Sequence, residues 1–256
     1  MTKGPTRPTD LSLVLANRRW VRRCEPFPHV VAQDVFTDEF YAELAAEFRR
    51  IEGEHPEAFR RDMPGYDAAG SQLDEYRSGP LGLFLGREWH DLMTAIFGVD
   101  ATGDATATLH HHEPGGASGW PHNDLNPGWF ANPPAGPAEV RAPSDGPVSY
   151  HKGDRPDGVS ARETIRAVSM LFYLANPPWS AGDGGETALY ADSVSRQPAA
   201  TVPPVNNSLV MFECTPFCWH GFLTNPVKPR NSIVMWVHRA KADVEARWGA
   251  NNIAYW

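Results

Sequence analysis

The chain has 256 residues, of which 41% are hydrophobic and 11% aromatic, so it can bury a sizeable core and is not an intrinsically disordered protein. Its 22 glycines and 24 prolines exceed average usage, which favours many turns and argues against a helical bundle. The formal net charge is −8 and the basic residues form no run or stripe, which argues against a nucleic-acid partner.

The N-terminal segment and the cysteines bear on cellular location. The apolar run LSLVL at residues 11–15 is too short for the core of a signal peptide or for a membrane span. Cys24, Cys214 and Cys218 are odd in number, and the chain has no second cysteine pair to complete a zinc site with the last two. We therefore expect reduced thiols, no membrane partner and a cytoplasmic location. The sequence leaves the oligomeric state open.

Two helices are predicted in the first hundred residues. Thr37 is a suitable N-cap, and apolar residues recur at helical spacing in the segment that follows it. A second amphipathic helix is predicted over residues 81–97, with Gly98 as its stop. The predicted helical support therefore spans about residues 37–97.

Short strand-like runs replace the helical pattern from about residue 105 onward. They are separated by Pro, Gly and Asn turns. They read TATLHHH, IRAVSMLFYL, ETALYA, NSLVMFE and NSIVMWVH. A further extended segment, PFPHVVA, precedes the helices at residues 26–32. The prediction is a mainly β fold, with a sheet or barrel over residues 105–240 buttressed by N-terminal α-helices, in a single domain over residues 1–256.

Residues 125–163 interrupt the β-rich body. This stretch holds seven prolines and five glycines, and its predicted strand is VSYHK at residues 148–152. Long irregular segments in compact domains are usually functional or disordered. A lid-like insert over an active site and a structural excursion are therefore both open interpretations.

The first candidate for chemistry is the triplet His122-Asn-Asp124 within GWPHNDLNPGWF. In an extended strand, residues i and i+2 point to the same face, so His122 and Asp124 would present an imidazole and a carboxylate side by side. A surface turn after Trp120 and Pro121 explains the same triplet, so the motif alone does not decide between a polar turn and a metal site.

The C-terminal third adds a second histidine and a cation. His220 lies in an aromatic, apolar strand, and the chain turns at Asn225 before Arg230 and Ser232 enter another strand. Two histidines and one carboxylate on one face of a metal form the facial triad of non-haem Fe(II) oxygenases, which leaves positions open for substrates. Arg230 offers a planar fork for the carboxylate of a co-substrate, and Ser232 can donate from the same strand face. The alternative for Arg230 is a solvated charge on a hairpin arm.

Five motifs follow one another between about residues 105 and 240. They are His122-x-Asp124, the strand RAVSMLFYL at 166–174, the turn GGET at 184–187, the strand NSLVMF at 207–212, and His220 followed ten positions later by Arg230. In this order they resemble the Fe(II)/2-oxoglutarate-dependent dioxygenases, particularly the prolyl-hydroxylase-like branch. The resemblance implies a double-stranded β-helix (jelly-roll) core.

The same resemblance implies the cofactors and the reaction. It assigns His122, Asp124 and His220 as ligands of Fe(II), and it assigns Arg230 and Ser232 to the far carboxylate of 2-oxoglutarate. With O2 as the further co-substrate, the implied reaction is hydroxylation of an unactivated C–H bond with release of succinate and CO2. Family halogenases carry a small residue in place of the ligand carboxylate, so the presence of Asp124 argues against halogenation.

Two departures from the branch bear on the substrate. Prolyl hydroxylases typically have Lys where this chain has Arg230, and the Tyr of their Tyr-x-Pro-Gly segment is His112 here, followed by Glu-Pro-Gly. We expect a small-molecule substrate, either a free amino acid or a natural-product intermediate. The alternatives are a protein-directed, prolyl-type hydroxylase that uses residues 125–163 as a peptide clamp, and a non-catalytic metal-binding jelly roll.

Several further residues are candidates for lining the pocket. Strand alternation places His110 and His112 on one face and His111 on the other, with His112 toward the co-substrate or simply exposed. Trp129, Tyr150 and His151 are candidate substrate contacts. The competing interpretations are an aromatic that pins its loop to the core, for Trp129, and an exposed edge strand, for Tyr150 and His151.

Overall fold

The protein is described by a computed structural model in which residues 9–61 and 67–255 are placed. The α-helices in these ranges are α1 (Leu11–Val14), α2 (Asp38–Glu54), α3 (Arg87–Phe97) and α4 (Lys241–Trp248). Short 3₁₀ helices lie at Pro56–Ala58, Leu73–Tyr76, Pro80–Leu85, Pro143–Asp145 and Ala250–Asn252. None of these helices has the length and apolar character needed to cross a membrane. The single domain predicted over residues 1–256 includes residues 1–8, 62–66 and 256, which lie outside the described residues.

The strands in the described ranges form two antiparallel sheets. They are β1 (Val21–Arg23), β2 (His29–Ala32), β3 (Ala69–Gln72), β4 (Ala105–His112), β5 (Pro127–Ala131), β6 (Ala161–Tyr173), β7 (Thr187–Leu189), β8 (Ala200–Val202), β9 (Ser208–Glu213), β10 (His220–Phe222) and β11 (Arg230–Ala240). The large sheet has the order β1-β2-β9-β6-β11-β4-β3, with β5 pairing with β6, and the small sheet has the order β10-β7-β8. The predicted mainly β, jelly-roll core is therefore confirmed.

Each face of the large sheet has its own hydrophobic core. On the inner face, Leu171, Val210 and Val234 of the large sheet pack with Leu189 and Val202 of the small sheet. On the outer face, alternate residues of the same strands pack against side chains from α2 and α3. The central strands of the large sheet, such as β9 and β11, are thus buried on both sides, which explains why their sequences are almost continuously apolar.

The predicted helical support is present, with one difference. The Thr37 hydroxyl accepts a hydrogen bond from the backbone N–H of Phe40, so Thr37 is the N-cap of α2 as predicted. The helix predicted over residues 81–97 is instead a 3₁₀ segment and α3, separated by Gly86, whose ψ of 149° is extended. Gly98, with φ of 64°, ends α3 in the left-handed conformation that favours glycine.

The segment from residue 125 to 163 is packed against the end of β6 and carries a strand where none was predicted. Its strand is β5, which pairs with the first half of β6. The predicted strand at 148–152 is wrong, because the chain turns there and the Gly153 N–H bonds back to the Ser149 carbonyl at 2.8 Å. A Cβ at Gly128 would lie 2.3 Å from the Tyr150 ring, so glycine lets the insert approach β5 this closely.

Candidate metal centre and anion site

Two histidines distant in sequence are joined by backbone hydrogen bonds. His122, in the extended segment after β4, forms a bridge with His220, the first residue of β10. The His122 N–H donates to the His220 carbonyl at 2.9 Å, and the His220 N–H donates to the His122 carbonyl at 2.8 Å. This reciprocal pairing places the two imidazole rings side by side, with centroids 4.4 Å apart.

The hydrogen bonds of the two imidazoles determine which nitrogen is free. Nδ1 of His122 lies 2.9 Å from the Trp120 carbonyl, and Nδ1 of His220 lies 3.1 Å from the Cys218 carbonyl. A carbonyl can only accept, so Nδ1 carries a hydrogen in both rings, and Nε2 is the nitrogen that can bind a metal. The Nε2 atoms lie 3.9 and 3.3 Å from the oxygens of Asp124, and the three ligand atoms fall within 4.8 Å of one another.

Asp124 is buried and is held as an anion. Its Oδ2 accepts from the Ser169 hydroxyl at 3.1 Å and the Trp236 indole N–H at 2.8 Å, and its Oδ1 accepts from Arg166 at 3.3 Å. Burial by itself would raise the pKa of Asp124, but His220 and Arg166 outweigh burial and hold the pKa below its ordinary value. Two imidazoles and one carboxylate, with their outer hydrogen bonds satisfied, fit Fe(II) or a similar divalent metal.

A β-bulge directs Arg166 into the site. Along the β6–β11 pair, Trp236 faces Ser169, but the register then shifts so that His238 faces Arg166. Arg166 and Ser169 are three residues apart, so in a regular strand they would point to opposite faces. At the bulge β6 has one extra residue relative to β11, and this returns Arg166 to the face of Ser169. The Arg166 guanidinium stacks on the Trp236 ring with its carbon 3.8 Å from the ring centroid.

Arg230 forms a second cationic group on the same inner face. It is 2% exposed, and its guanidinium donates to Thr187 at 3.1 Å, to His112 Nε2 at 3.3 Å and to Ser232 at 3.4 Å. All three partners are neutral, since burial and the neighbouring Arg230 lower the pKa of His112. Among the described residues, Nε of Arg230 has no hydrogen-bond partner. A buried guanidinium with neutral partners is a site for an anion.

One cavity connects the triad with Arg230. Its volume is about 80 Å³, and it is lined by the three residues of the triad, by Arg166 and by Arg230. The remaining wall is largely apolar and includes Trp120, Leu171, Phe222, Val234 and Trp236. Trp120 is 42% exposed and lies at the mouth of the cavity. A metal and an anion bound to these groups would share a space that apolar side chains shield from water.

The structure brings some of the predicted residues together at this cavity. His122, Asp124, His220 and Arg230 line the cavity, and His112 and Ser232 lie behind Arg230 as its hydrogen-bond partners. His110 lines the cavity as well, whereas His111 lies on the other face of β4 and contacts Glu52 of α2.

The three predicted substrate contacts are not among the residues that line the cavity. Trp129 lies against Gly153, where an added Cβ would come within 2.7 Å of the indole. His151 is exposed and its ring packs edge-on against the ring of Tyr150. Tyr150 is buried and reaches the site only through the guanidinium of Arg166, to which its hydroxyl is bonded at 3.3 Å.

Arg166, Thr187 and Trp236 were missed as site residues in the sequence. Arg166 and Thr187 are the first residue of RAVSMLFYL and the last of GGET, so the motifs contained them without indicating a role. Trp236 alternates with Arg230, Ser232 and Val234 along β11, and that alternation is a signal that could have found it. The position of Arg166 depends on the bulge, which the sequence pattern does not show.

A directed hydrogen-bond chain links the insert to Asp124. The Thr164 hydroxyl donates to the Gly128 carbonyl at 3.1 Å, so it accepts from Nδ1–H of His238 at 3.0 Å. Nε2 of His238 then accepts from the Tyr150 hydroxyl at 3.2 Å, which leaves the Tyr150 oxygen to accept from Nε–H of Arg166. Each donor in the chain thus has an acceptor, and Tyr150 positions Arg166.

Buried neutral histidines predict that acid destabilises the protein. Burial lowers the pKa of His90, His112 and His238 below the ordinary value of 6.5. Below that pH the unfolded chain binds more protons than the folded chain, so the free energy of unfolding falls as pH falls. We expect a loss of about 1 kcal/mol per histidine between about pH 6.5 and 5.5 in urea unfolding.

A variant series checks the source of this pH dependence. His238→Gln should flatten the dependence of the unfolding free energy on pH, whereas Arg50→Gln, which removes an exposed group that does not titrate in this range, should leave the slope unchanged. Equal unfolding free energies of the wild type at pH 7.5 and 5.5 would contradict the prediction.

The family model for the 2OG-Fe(II) oxygenase superfamily matches residues 144–238. The matched range contains His220 and Arg230, and the backbone bridge between His122 and His220 connects it to the other two triad residues. No curated protein sequence matches the chain.

Solved structures with low sequence identity share the fold. A prolyl-4-hydroxylase from Pseudomonas putida is 20% identical, with 82% of this chain and 92% of that chain covered and a TM-score of 0.55. A prolyl 4-hydroxylase from Phytophthora capsici is 22% identical, with 85% and 61% covered and a TM-score of 0.55. A prolyl hydroxylase from Trichoplax adhaerens, in complex with a peptide fragment of hypoxia inducible factor, is 13% identical, with 86% of both chains covered and a TM-score of 0.54.

At sequence identities of 13–22%, the similar structures support the fold alone. The family match and the His-Asp-His cluster support an Fe(II)-dependent oxygenase reaction. Residues 144–238 thus match the 2OG-Fe(II) oxygenase superfamily, whose chemistry uses Fe(II), 2-oxoglutarate and O2, and the chain has the jelly-roll fold of the prolyl-hydroxylase structures together with a His-Asp-His cluster.

Proposed function

We propose that the protein is an Fe(II)- and 2-oxoglutarate-dependent oxygenase that hydroxylates an unactivated C–H bond of a small molecule, a free amino acid or a natural-product intermediate, with release of succinate and CO2. One observation carries the proposal: a His-Asp-His cluster and a buried arginine with neutral partners line the same cavity. The donor set fits the two cofactors, since the cluster offers three ligands on one side and the guanidinium offers a carboxylate site on another.

In this proposal, His122, Asp124 and His220 hold Fe(II). Both histidines present Nε2 to the metal because their Nδ1–H groups are bonded to carbonyls of the chain. The hydrogen bonds from Ser169 and Trp236 fix the rotamer of Asp124 and keep it ionised. Such outer hydrogen bonds orient the ligands, and their loss typically lowers metal affinity by about 10–100-fold.

Arg230 holds the far carboxylate of 2-oxoglutarate. Thr187 and Ser232 hold the guanidinium in place and present hydroxyl groups to the same carboxylate. His112, which stands where the branch has a tyrosine, accepts a hydrogen bond from Arg230 and so helps to fix the plane of the fork.

When bound, the metal and its co-substrates supply the oxidising chemistry that inserts one oxygen atom into a C–H bond. The chain supplies position and a shielded space: Leu171, Val234 and Phe222 exclude water from the cavity between the triad and Arg230. The target C–H bond must therefore lie inside the cavity, next to the triad.

The size of the substrate separates two candidate functions. The apolar walls around the cavity, and an insert that packs against β6 and does not stand open as a clamp, support a small molecule. The prolyl hydroxylases that share the fold, one of them bound to a peptide fragment, support a protein-directed prolyl-type hydroxylase as the second candidate. In that case the exposed Trp120 at the cavity mouth would contact the peptide.

Spectroscopy of the anaerobic protein tests the cofactor assignment. Fe(II) and 2-oxoglutarate, added without O2, are expected to produce the visible charge-transfer band of the chelate. Folded, metal-loaded protein without this band would refute the proposal and favour a non-catalytic metal-binding jelly roll. Aerobic succinate formation with a panel of amino acids and metabolites, compared with proline-containing peptides, then distinguishes the two substrate classes.

We also propose a single oxygenase domain over residues 1–256 and a cytoplasmic location. The location is supported by the three free cysteines, which suit a reducing compartment. Fluorescence microscopy of a tagged chain tests it, and a secreted or envelope-associated signal would contradict it.

A further inference from the structure

The cavity contains a second guanidinium group, that of Arg166, which the proposed binding of 2-oxoglutarate does not use. Arg230 and Arg166 both line the cavity, and the proposed function uses Arg230 for the co-substrate. We infer that Arg166 binds the carboxylate of the substrate, which makes the substrate a small organic acid such as a free amino acid. This inference rests on the proposed function and deepens it, because it names the group by which the substrate is recognised.

The hydrogen bonds of Arg166 leave donors free to face a ligand. An arginine carries five N–H groups. Nε donates to Tyr150, and Nη1 donates to Asp124 over a long 3.3 Å contact. In the part of the chain that the structure describes, no hydrogen bond from Nη2 is formed. The guanidinium therefore keeps donors for a carboxylate while it contacts the metal ligand.

Arg166 is also fixed in orientation before any ligand binds. Its plane lies on the Trp236 ring at 3.8 Å, and the Trp236 indole is itself tied to Asp124. Its Nε is held by Tyr150, whose hydroxyl is bonded to the buried His238. A guanidinium fixed on both sides loses little conformational entropy when it binds a carboxylate, and it fixes the distance of that carboxylate from the triad.

Charge balance in the cavity supports an anionic substrate. Among the residues that line the cavity, Arg166 and Arg230 are cationic and Asp124 is anionic. Burial lowers the pKa of His110 to about 3, and His122 and His220 are neutral when they bind a metal, so the cavity histidines add no charge. Fe(II) and the 2-oxoglutarate dianion cancel each other, so one positive charge remains. One substrate carboxylate neutralises it, whereas a prolyl residue inside a peptide carries no charge.

The experiment compares acids with their uncharged amides. The anaerobic charge-transfer band is recorded first, and its absence in the wild type would refute the proposed function and with it this inference. With the band present, succinate formation is measured with the free proteinogenic amino acids, the matching carboxamides and a proline-containing peptide. We expect at least one free acid to stimulate succinate formation, with a kcat/KM about 100-fold or more above that of its amide.

Variants of Arg166 and Tyr150 distinguish a role of Arg166 in substrate binding from a role in holding Asp124 in place. Arg166→Lys keeps the charge and loses the planar fork, so the KM for the acid should rise about 10-fold or more. Tyr150→Phe should raise the same KM by a smaller factor. In both, the KM for 2-oxoglutarate and the charge-transfer band should stay within about 2-fold of wild type. The matched controls are Arg50→Lys and Tyr255→Phe, which change exposed side chains on α2 and near the C-terminus.

Three results would overturn the inference while the band is intact. The first is equal stimulation by an acid and its amide. The second is stimulation by the peptide, or by no free acid at all. The third is a kcat that falls in Arg166→Lys together with Fe(II) affinity while the KM for the acid is unchanged, since Arg166 would then act only through Asp124.

Discussion

Asp124→Asn is expected to lower succinate formation at least about 100-fold, a loss of more than about 2.7 kcal/mol of transition-state stabilisation. The carboxylate accepts from Ser169, Trp236 and Arg166, and it is the anionic member of the metal cluster. An amide has the same shape but lacks the charge and directs N–H groups at those donors. The measurements are Fe(II) affinity under anaerobic conditions and succinate formation in air.

Controls separate the loss of the ligand from the loss of the fold. Asp192→Asn changes an exposed carboxylate, bonded to Ser195, and should leave turnover as in the wild type. Circular dichroism should show a folded Asp124→Asn protein. Undiminished turnover in this variant would show that the carboxylate is misassigned as a metal ligand.

Arg230→Met is expected to have opposite effects on co-substrate binding and on stability. The guanidinium is 2% exposed and has neutral hydrogen-bond partners, so among the described residues it is a buried cation that forms no ion pair. Replacing it with an apolar side chain of similar length should leave the free energy of unfolding unchanged or raise it by about 1–2 kcal/mol. The affinity for 2-oxoglutarate should fall about 30-fold or more, because a buried charged contact is lost.

Thermal unfolding with and without 2-oxoglutarate checks both the stability and the co-substrate binding of Arg230→Met. In the wild type, 2-oxoglutarate with Fe(II) should raise the midpoint of thermal unfolding in a concentration-dependent way, and in Arg230→Met it should not. Arg50→Met, on the exposed face of α2, is the matched control and should keep the ligand-dependent shift. A variant that is strongly destabilised and still binds 2-oxoglutarate would contradict the role proposed for Arg230.

The contact between Arg230 and His112 bears on the two positions at which this chain departs from the prolyl-hydroxylase-like branch that it resembles. The branch's tyrosine is replaced by His112, and the histidine lies at the guanidinium as an acceptor of its hydrogen bond. A neutral histidine can accept in this way, and burial keeps His112 neutral. The change from Lys to Arg and the change from Tyr to His are therefore compatible with each other at one contact.

The sequence by itself determined the chemical groups and the strands that carry them. Short strand-like runs between Pro, Gly and Asn turns predicted β4, β6, β9 and β11, and Thr37 predicted the start of α2, because these signals depend on residues close together in the chain. The identity and order of His122, Asp124, His220 and Arg230 likewise came from motifs. Their roles as iron ligands and co-substrate anchor stay predictions until metal and ligand binding are measured.

Only the tertiary structure decided which other groups reach the cavity. The bulge that directs Arg166 inward depends on the register between β6 and β11, whose paired residues are about seventy positions apart in the chain. The packing of Tyr150 beneath Gly128, and the placement of Trp129 and His151 outside the cavity, depend on how the insert folds back on β5. Local periodicity reports the face of a residue within its own strand. It cannot report register shifts or loop packing, because partners distant in the sequence set their energies.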